Sequence, residues 1–145
     1  MYKKPLLTSL VVLLSGLMPV PTQAAQSLPV AIEDQDQFIR QKIREHIGHD
    51  PLLEIIAGCE TTKDPNQIRH WEADGSLVKN PTSSASGAFQ VLLEFHEDWI
   101  AATGKNMQDI DEYMQFVAIL FSVQGYDAWY PSEHCWGKYR HLGTG

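Results

Sequence analysis

Glu60 is the residue of this chain best placed to do chemistry. It closes an apolar helical run of Leu52, Leu53, Ile55, Ile56 and Cys59. A carboxylate partly withdrawn from water at such a place has its pKa raised, because desolvation disfavours the charged form. A carboxylic acid still protonated near neutral pH can give its proton to a leaving oxygen. Downstream comes Ser86-Gly87-Ala88-Phe89-Gln90, which the pattern places at the opening of the next helix. Glycine there lets backbone approach a ligand closely, and a Gln amide can both donate to and accept from a sugar's acetamido group. Taken singly, each feature also has a plain structural reading: a solvated helix end, and a loop entering a helix.

The elements that must position these residues follow from apolar periodicity. Phe38, Ile39, Ile43 and Ile47 recur at helical spacing and stop at Gly48. Asp50-Pro51 then reads as an N-cap with proline at the first helical position. From Thr61 to Ser86 apolar density collapses into a polar stretch with Asp74-Gly75 as a hairpin-turn signal. Helical pattern returns from Phe89 to Ala101, ending at Gly104, and again from Ile110 to Val123 before Gly125. The tail, with Tyr126, Trp129, Tyr130, Cys135 and Trp136, is expected to fold back on the body. The fold class is therefore α+β, mainly helical, with a small β-hairpin region.

The start of the chain has a different character. Lys3 and Lys4 precede an apolar, uncharged run from Leu6 to Leu17, followed by Pro19, Pro21 and the small residues Ala24 and Ala25. This is the three-part layout of a secretory signal peptide over 1–25. A run of about a dozen apolar residues is too short to span a bilayer core of roughly 30 Å, so stable membrane insertion after processing is not expected. Residues 26–36 read as a linker, and 37–145 as one domain. Export implies an oxidising compartment, periplasmic or extracellular, where the only two cysteines, Cys59 and Cys135, are expected to pair. The 145 residues carry 18 acidic and 11 basic groups, a net charge of −7 that becomes −9 without Lys3 and Lys4. Such an acidic chain is a poor partner for nucleic acid or for anionic lipid, both of which are held mainly by Lys and Arg.

Three ordered blocks carry a resemblance: Ala57-Gly58-Cys59-Glu60; Asn80-Pro81 with Ser86-Gly87-Ala88-Phe89-Gln90; and Gln124-Gly125-Tyr126-Asp127-Ala128-Trp129. Together they resemble the lysozyme-like superfamily, specifically the soluble lytic transglycosylases and their small lysozyme-like relatives. The resemblance implies a lysozyme-like fold and peptidoglycan glycan strands as substrate. It makes Glu60 the acid/base that cleaves the β-1,4 bond between N-acetylmuramic acid and N-acetylglucosamine. It assigns Ser86, Gly87, Ala88 and Gln90 to the adjoining subsite. Trp129 is expected beside Glu60, raising its pKa, and Tyr126 is an alternative residue whose hydroxyl would bond the glutamate. Animal-type lysozymes carry an aspartate where this chain has Ala85. Glu72 and Asp74 are the nearest substitutes, and the turn position of Asp74 favours a structural role. One acid without a carboxylate partner implies the transglycosylase reaction, which closes a 1,6-anhydro ring and needs no metal or cofactor. A hydrolytic muramidase and a non-catalytic glycan-binding module are the alternatives.

Other constellations are weaker. Glu45-His46 with His49-Asp50 resembles a metal cluster but falls at a helix end. His96-Glu97 lacks the cysteine pair of a deaminase-type zinc site. Cys59 with His70 or His134 suggests a thiol nucleophile, which pairing with Cys135 would remove. Because peptidoglycan and its associated polymers are themselves negative, recognition is expected from the cleft, through Gln90 and aromatics. A partner protein that delivers the enzyme to an envelope assembly is the other route.

Overall fold

The computed structural model describes residues 34–145. The expected export signal over 1–25 and most of the linker over 26–36 lie outside the described residues. Helix α1 spans Gln35–His46, so its first two residues fall within the expected linker. Gln35 is buried, and its amide bonds the backbone of His70 and Trp71.

Helix α2, Pro51–Thr61, starts as its sequence dictates. Asp50 accepts hydrogen bonds from the Leu52 and Leu53 amides, and Pro51, which has no N–H to satisfy, occupies the first turn. Between α1 and α2 the buried Glu54 carboxylate is bonded by both Arg40 and Arg44. Helix α3 is short, Glu97–Thr103, and α4 runs from Ile110 to Gln124 behind an Asp109 cap. The 3₁₀ segment Gly125–Ser132, helix α5 (Glu133–Trp136) and a last 3₁₀ turn, Gly137–Leu142, fold back on the body.

The core lies where α1, α2 and α4 meet, filled by Ile39, Ile43, Leu52, Leu53, Ile56, Phe116 and Val117. The tail closes it from the α2 side with Trp129 and Trp136. Cys59 and Cys135 form a disulfide that ties α2 to α5. Among the described residues no helix is long and apolar enough to cross a membrane.

The β region differs from the expected layout. The only two-stranded sheet among the described residues pairs β1 (Ala85–Ser86) antiparallel with β2 (Val91–Leu92). Ser86–Gln90 therefore opens no helix: Ser86 ends β1, Gly87 to Gln90 form the loop of the hairpin, and helical structure resumes only at Glu97. The reason is local. Gly87 and Gln90 both have positive φ, +74° and +46°, which an α-helix does not allow. Asp74-Gly75 does make a turn: the Glu72 amide donates to the Ser76 carbonyl and the Val78 amide to the His70 carbonyl, around an isolated antiparallel Trp71–Leu77 bridge.

Candidate active site

The hairpin loop is fixed from beneath by three buried side chains. His70 Nδ1 accepts from the Ala88 amide at 2.9 Å. The Tyr113 hydroxyl accepts from the Phe89 amide and donates to the Ser86 carbonyl. Trp129 Nε1 donates to the Phe89 carbonyl at 2.9 Å. Gly87 has a steric role here. A Cβ at that position would lie 2.7–2.8 Å from the Tyr113 ring and hydroxyl, so only glycine lets the loop rest on the ring.

Glu60, half-buried at the end of α2, faces the hairpin across a cleft of about 220 Å³. Asn80, Phe89, Gln90, His96 and Trp129 share its walls. The Ser132 hydroxyl donates to Glu60 Oε1 at 2.5 Å and accepts from Trp136 Nε1. Oε2 accepts no hydrogen bond from the described residues and is the atom free to carry a proton. Burial pushes the Glu60 carboxyl up to about 6, against the smaller opposing effect of Ser132, whose hydrogen bond favours the charged form. Among the described residues lining the cleft, Glu60 is the sole carboxylate.

Gln90 and Asn80 meet the cleft in complementary states. Gln90 Nε2 is used inside the loop, donating to the Val78 and Gly87 carbonyls, which leaves its Oε1 as an acceptor. Asn80 Oδ1 accepts from the backbone amide and the hydroxyl of Thr82, which leaves its NH₂ as a donor. At the edge of the cleft an aromatic rim stands in solvent. Phe95 is 77% exposed and Trp99 41%, with the His96 ring between them.

On the other side of Glu60 lies a wider hollow of about 540 Å³. The Cys59–Cys135 disulfide, Lys63, His134 and Lys138 line it, and Glu60 and Pro131 belong to both spaces.

Several expected site residues sit elsewhere. Tyr126 neither bonds Glu60 nor lines the cleft: its hydroxyl donates to Asp50 at 2.6 Å and accepts from the Gly145 amide, clamping the chain end onto α2. Ser86 and Ala88 are buried, and the Ser86 hydroxyl bonds the Ser84 carbonyl. With Gly87 they form the support of the loop, and of the expected substrate-binding set Gln90 and Trp129 line the cleft. Asp74 and Glu72 are committed to Ser76 and Arg69 and are absent from the cleft wall. His46 bonds Asp111, and the Lys42 ammonium sits on the same carboxylate, so the Glu45–His46–Asp111 group already holds a cation.

Ser132 and Tyr113 carry no motif signal, and His70 drew notice only as a partner for a Cys59 thiol; none of the three was expected at the cleft. Ser132 reaches Glu60 from 72 residues away, near the end of the loop that the disulfide closes. No protein-family model, curated protein or solved structure matches the chain.

Proposed function

We propose that this protein is an exported peptidoglycan lytic transglycosylase. It would cleave the β-1,4 bond between N-acetylmuramic acid and N-acetylglucosamine, with Glu60 as the single acid/base. The observation that carries the reading is a lone carboxylate, raised to about 6 by burial, in a cleft lined by amides and aromatics. A retaining glycosidase with two carboxylates needs them about 5–5.5 Å apart, and an inverting one about 6.5–9.5 Å. The cleft wall offers no second one among the described residues.

A single acid suffices if the substrate assists. Glu60 Oε2 protonates the glycosidic oxygen as the C1–O bond breaks, and the 2-acetamido group of the muramic acid stabilises the developing cation. The Glu60 carboxylate then takes the proton of the 6-hydroxyl, whose oxygen closes on C1. The proton returns to Glu60, and no water is consumed. Gln90 Oε1 and the Asn80 NH₂ suit the N–H and C=O of an acetamido group. The exposed faces of Trp99 and Phe95 suit the C–H face of a further sugar.

The test is digestion of purified peptidoglycan by the processed protein and by Glu60→Gln. Soluble muropeptides from the first and none from the second are expected. Equal release by both would remove Glu60 from the reaction, and no release by either would favour a glycan-binding module.

A further inference from the structure

The hollow on the far side of Glu60 has no part in the reaction as described, and its charge sets it apart from the rest of the molecule. Nine Lys and Arg side chains fall within the described residues. Five of them, Arg40, Lys42, Arg44, Arg69 and Arg140, are held in ion pairs. Lys63, Lys79, Lys105 and Lys138 make no ion pair with the described residues, and two of those four, Lys63 and Lys138, line this one hollow. On an acidic protein, two ammonium groups with no carboxylate partner among the described residues form a local reversal of charge in one concavity, Lys138 lying over the Tyr139 ring. The single acid in the lining is Glu60, whose proton must be in place before the bond breaks.

The covalent structure brings these cations together. Lys63 lies four residues after Cys59, and Lys138 three after Cys135; His134 immediately precedes Cys135. The disulfide holds the two cysteines at a Cα–Cα distance of 5.9 Å, so residues distant in sequence share one rim. Ammonium groups on flexible stems neutralise an anion as mobile point charges, whereas guanidinium imposes a fixed two-pronged geometry. Lysines therefore suit a carboxylate on a substituent that can swing.

We propose that this hollow is an anion subsite for the carboxylate-bearing substituent of the sugar at the scissile bond, held by Lys63 and Lys138 with His134 at the rim. This rests on the peptidoglycan reading and extends it to substrate selection. Glu60 and Pro131 are walls of both spaces, so a glycan in the cleft presents its neighbouring substituent to the hollow. Muramic acid differs from N-acetylglucosamine by a 3-O-lactyl group, which carries either its own carboxylate or a peptide that ends in one. Both sources offer the same chemistry. The subsite would select strands bearing it over neutral strands of the same backbone, such as chitin oligosaccharides.

The test compares the wild-type protein, K63A/K138A and K63R/K138R on three soluble glycans of matched length. These are strands with intact peptide stems, strands stripped of peptide but keeping the lactyl carboxylate, and a chitin oligosaccharide. Both lysines are exposed, so the variants should fold, and an unchanged melting temperature checks this. K63A/K138A is expected to raise KM about tenfold on anionic strands, with kcat within twofold. K63R/K138R should restore most of that loss. A loss on both anionic strands assigns the lactyl carboxylate, and a loss confined to stem-bearing strands assigns the peptide. A change of less than twofold in kcat/KM on both would overturn the proposal.

A second measurement does not depend on cleavage. In the Glu60→Gln protein, the His134 ring resonances are followed while N-acetylmuramic acid or N-acetylglucosamine is added. Saturable shifts with the first sugar only, absent from K63A/K138A, support the subsite even if no strand is cut. Equal shifts with both sugars, or none with either, contradict it whatever the enzyme does to peptidoglycan.

Discussion

Ser132 holds one oxygen of Glu60 and leaves the other to the cleft. Burial raises the acid while this hydroxyl restrains the rise, so its removal has a definite sign. Ser132→Ala is expected to shift the alkaline limb of the kcat/KM profile to higher pH, because a hydrogen bond to the charged form is lost. Trp136 Nε1 keeps a partner in the Trp129 carbonyl, so the tail stays docked. A limb that moves to lower pH, or stays in place, would refute this account of the glutamate. The same carboxyl enters stability. Its pKa is about 6 in the folded protein against an ordinary 4.5. Below pH 4.5 both states hold the proton and Glu60 contributes nothing. Above pH 6 both are ionised, and the native state bears a cost of about 2 kcal/mol. Glu60→Gln should therefore be more stable than wild type by roughly that amount at pH 8, with the difference vanishing below pH 4.5 in denaturant titrations.

The hairpin loop is the element on which the site depends, and its sequence conceals it. Phe89 and Val91 sit among apolar residues that also fit a helix, and paired strands of two residues are too short to show alternation. The left-handed Gln90 has no composition signal at all. By contrast, the α2 start was legible, because Asp50 and Pro51 each do there what their chemistry favours. His70 lies in a polar stretch that reads as loop, yet it is fully buried and holds the Ala88 amide. Burial pushes its pKa down to about 3 from 6.5. The unfolded chain therefore binds a proton first, and stability must fall as pH drops through 6.5 toward 3. His70→Phe should lower stability at pH 7 by about 1–3 kcal/mol by orphaning that amide, while flattening the acid dependence between pH 6.5 and 4. An unchanged slope would assign acid lability to other groups. Gly87→Ala tests the loop's seat on Tyr113. With a positive φ and a clash against a buried ring, a loss of about 2–4 kcal/mol is expected in chemical denaturation.

At the scale of the molecule, the disulfide links fold to site. It joins cysteines 76 positions apart and closes a loop that contains the hairpin, α3, α4 and the tail up to α5. The pairing was legible from an even cysteine count behind an export-like leader. What it positions was not, because Ser132, Trp129 and the two lysines meet Glu60 only through the folded chain. Loop entropy puts its contribution at about 3–4.5 kcal/mol. Cys59→Ser with Cys135→Ser should lower the denaturation midpoint accordingly, and should cost activity beyond the loss of folded protein as Ser132 loosens from Glu60. Full activity per folded molecule in that variant would show that the tail holds its place without the bond. The three helices around the core and the returning tail leave two concavities that share Glu60 and Pro131 as walls.

The most direct test of the central claim is the mass of the sugar ends released from purified peptidoglycan. The account predicts muramic acid termini one water lighter than reducing ends, in the 1,6-anhydro form, and none with Glu60→Gln. Reducing muramic acid termini from the wild-type protein would contradict it and assign the attack on C1 to water.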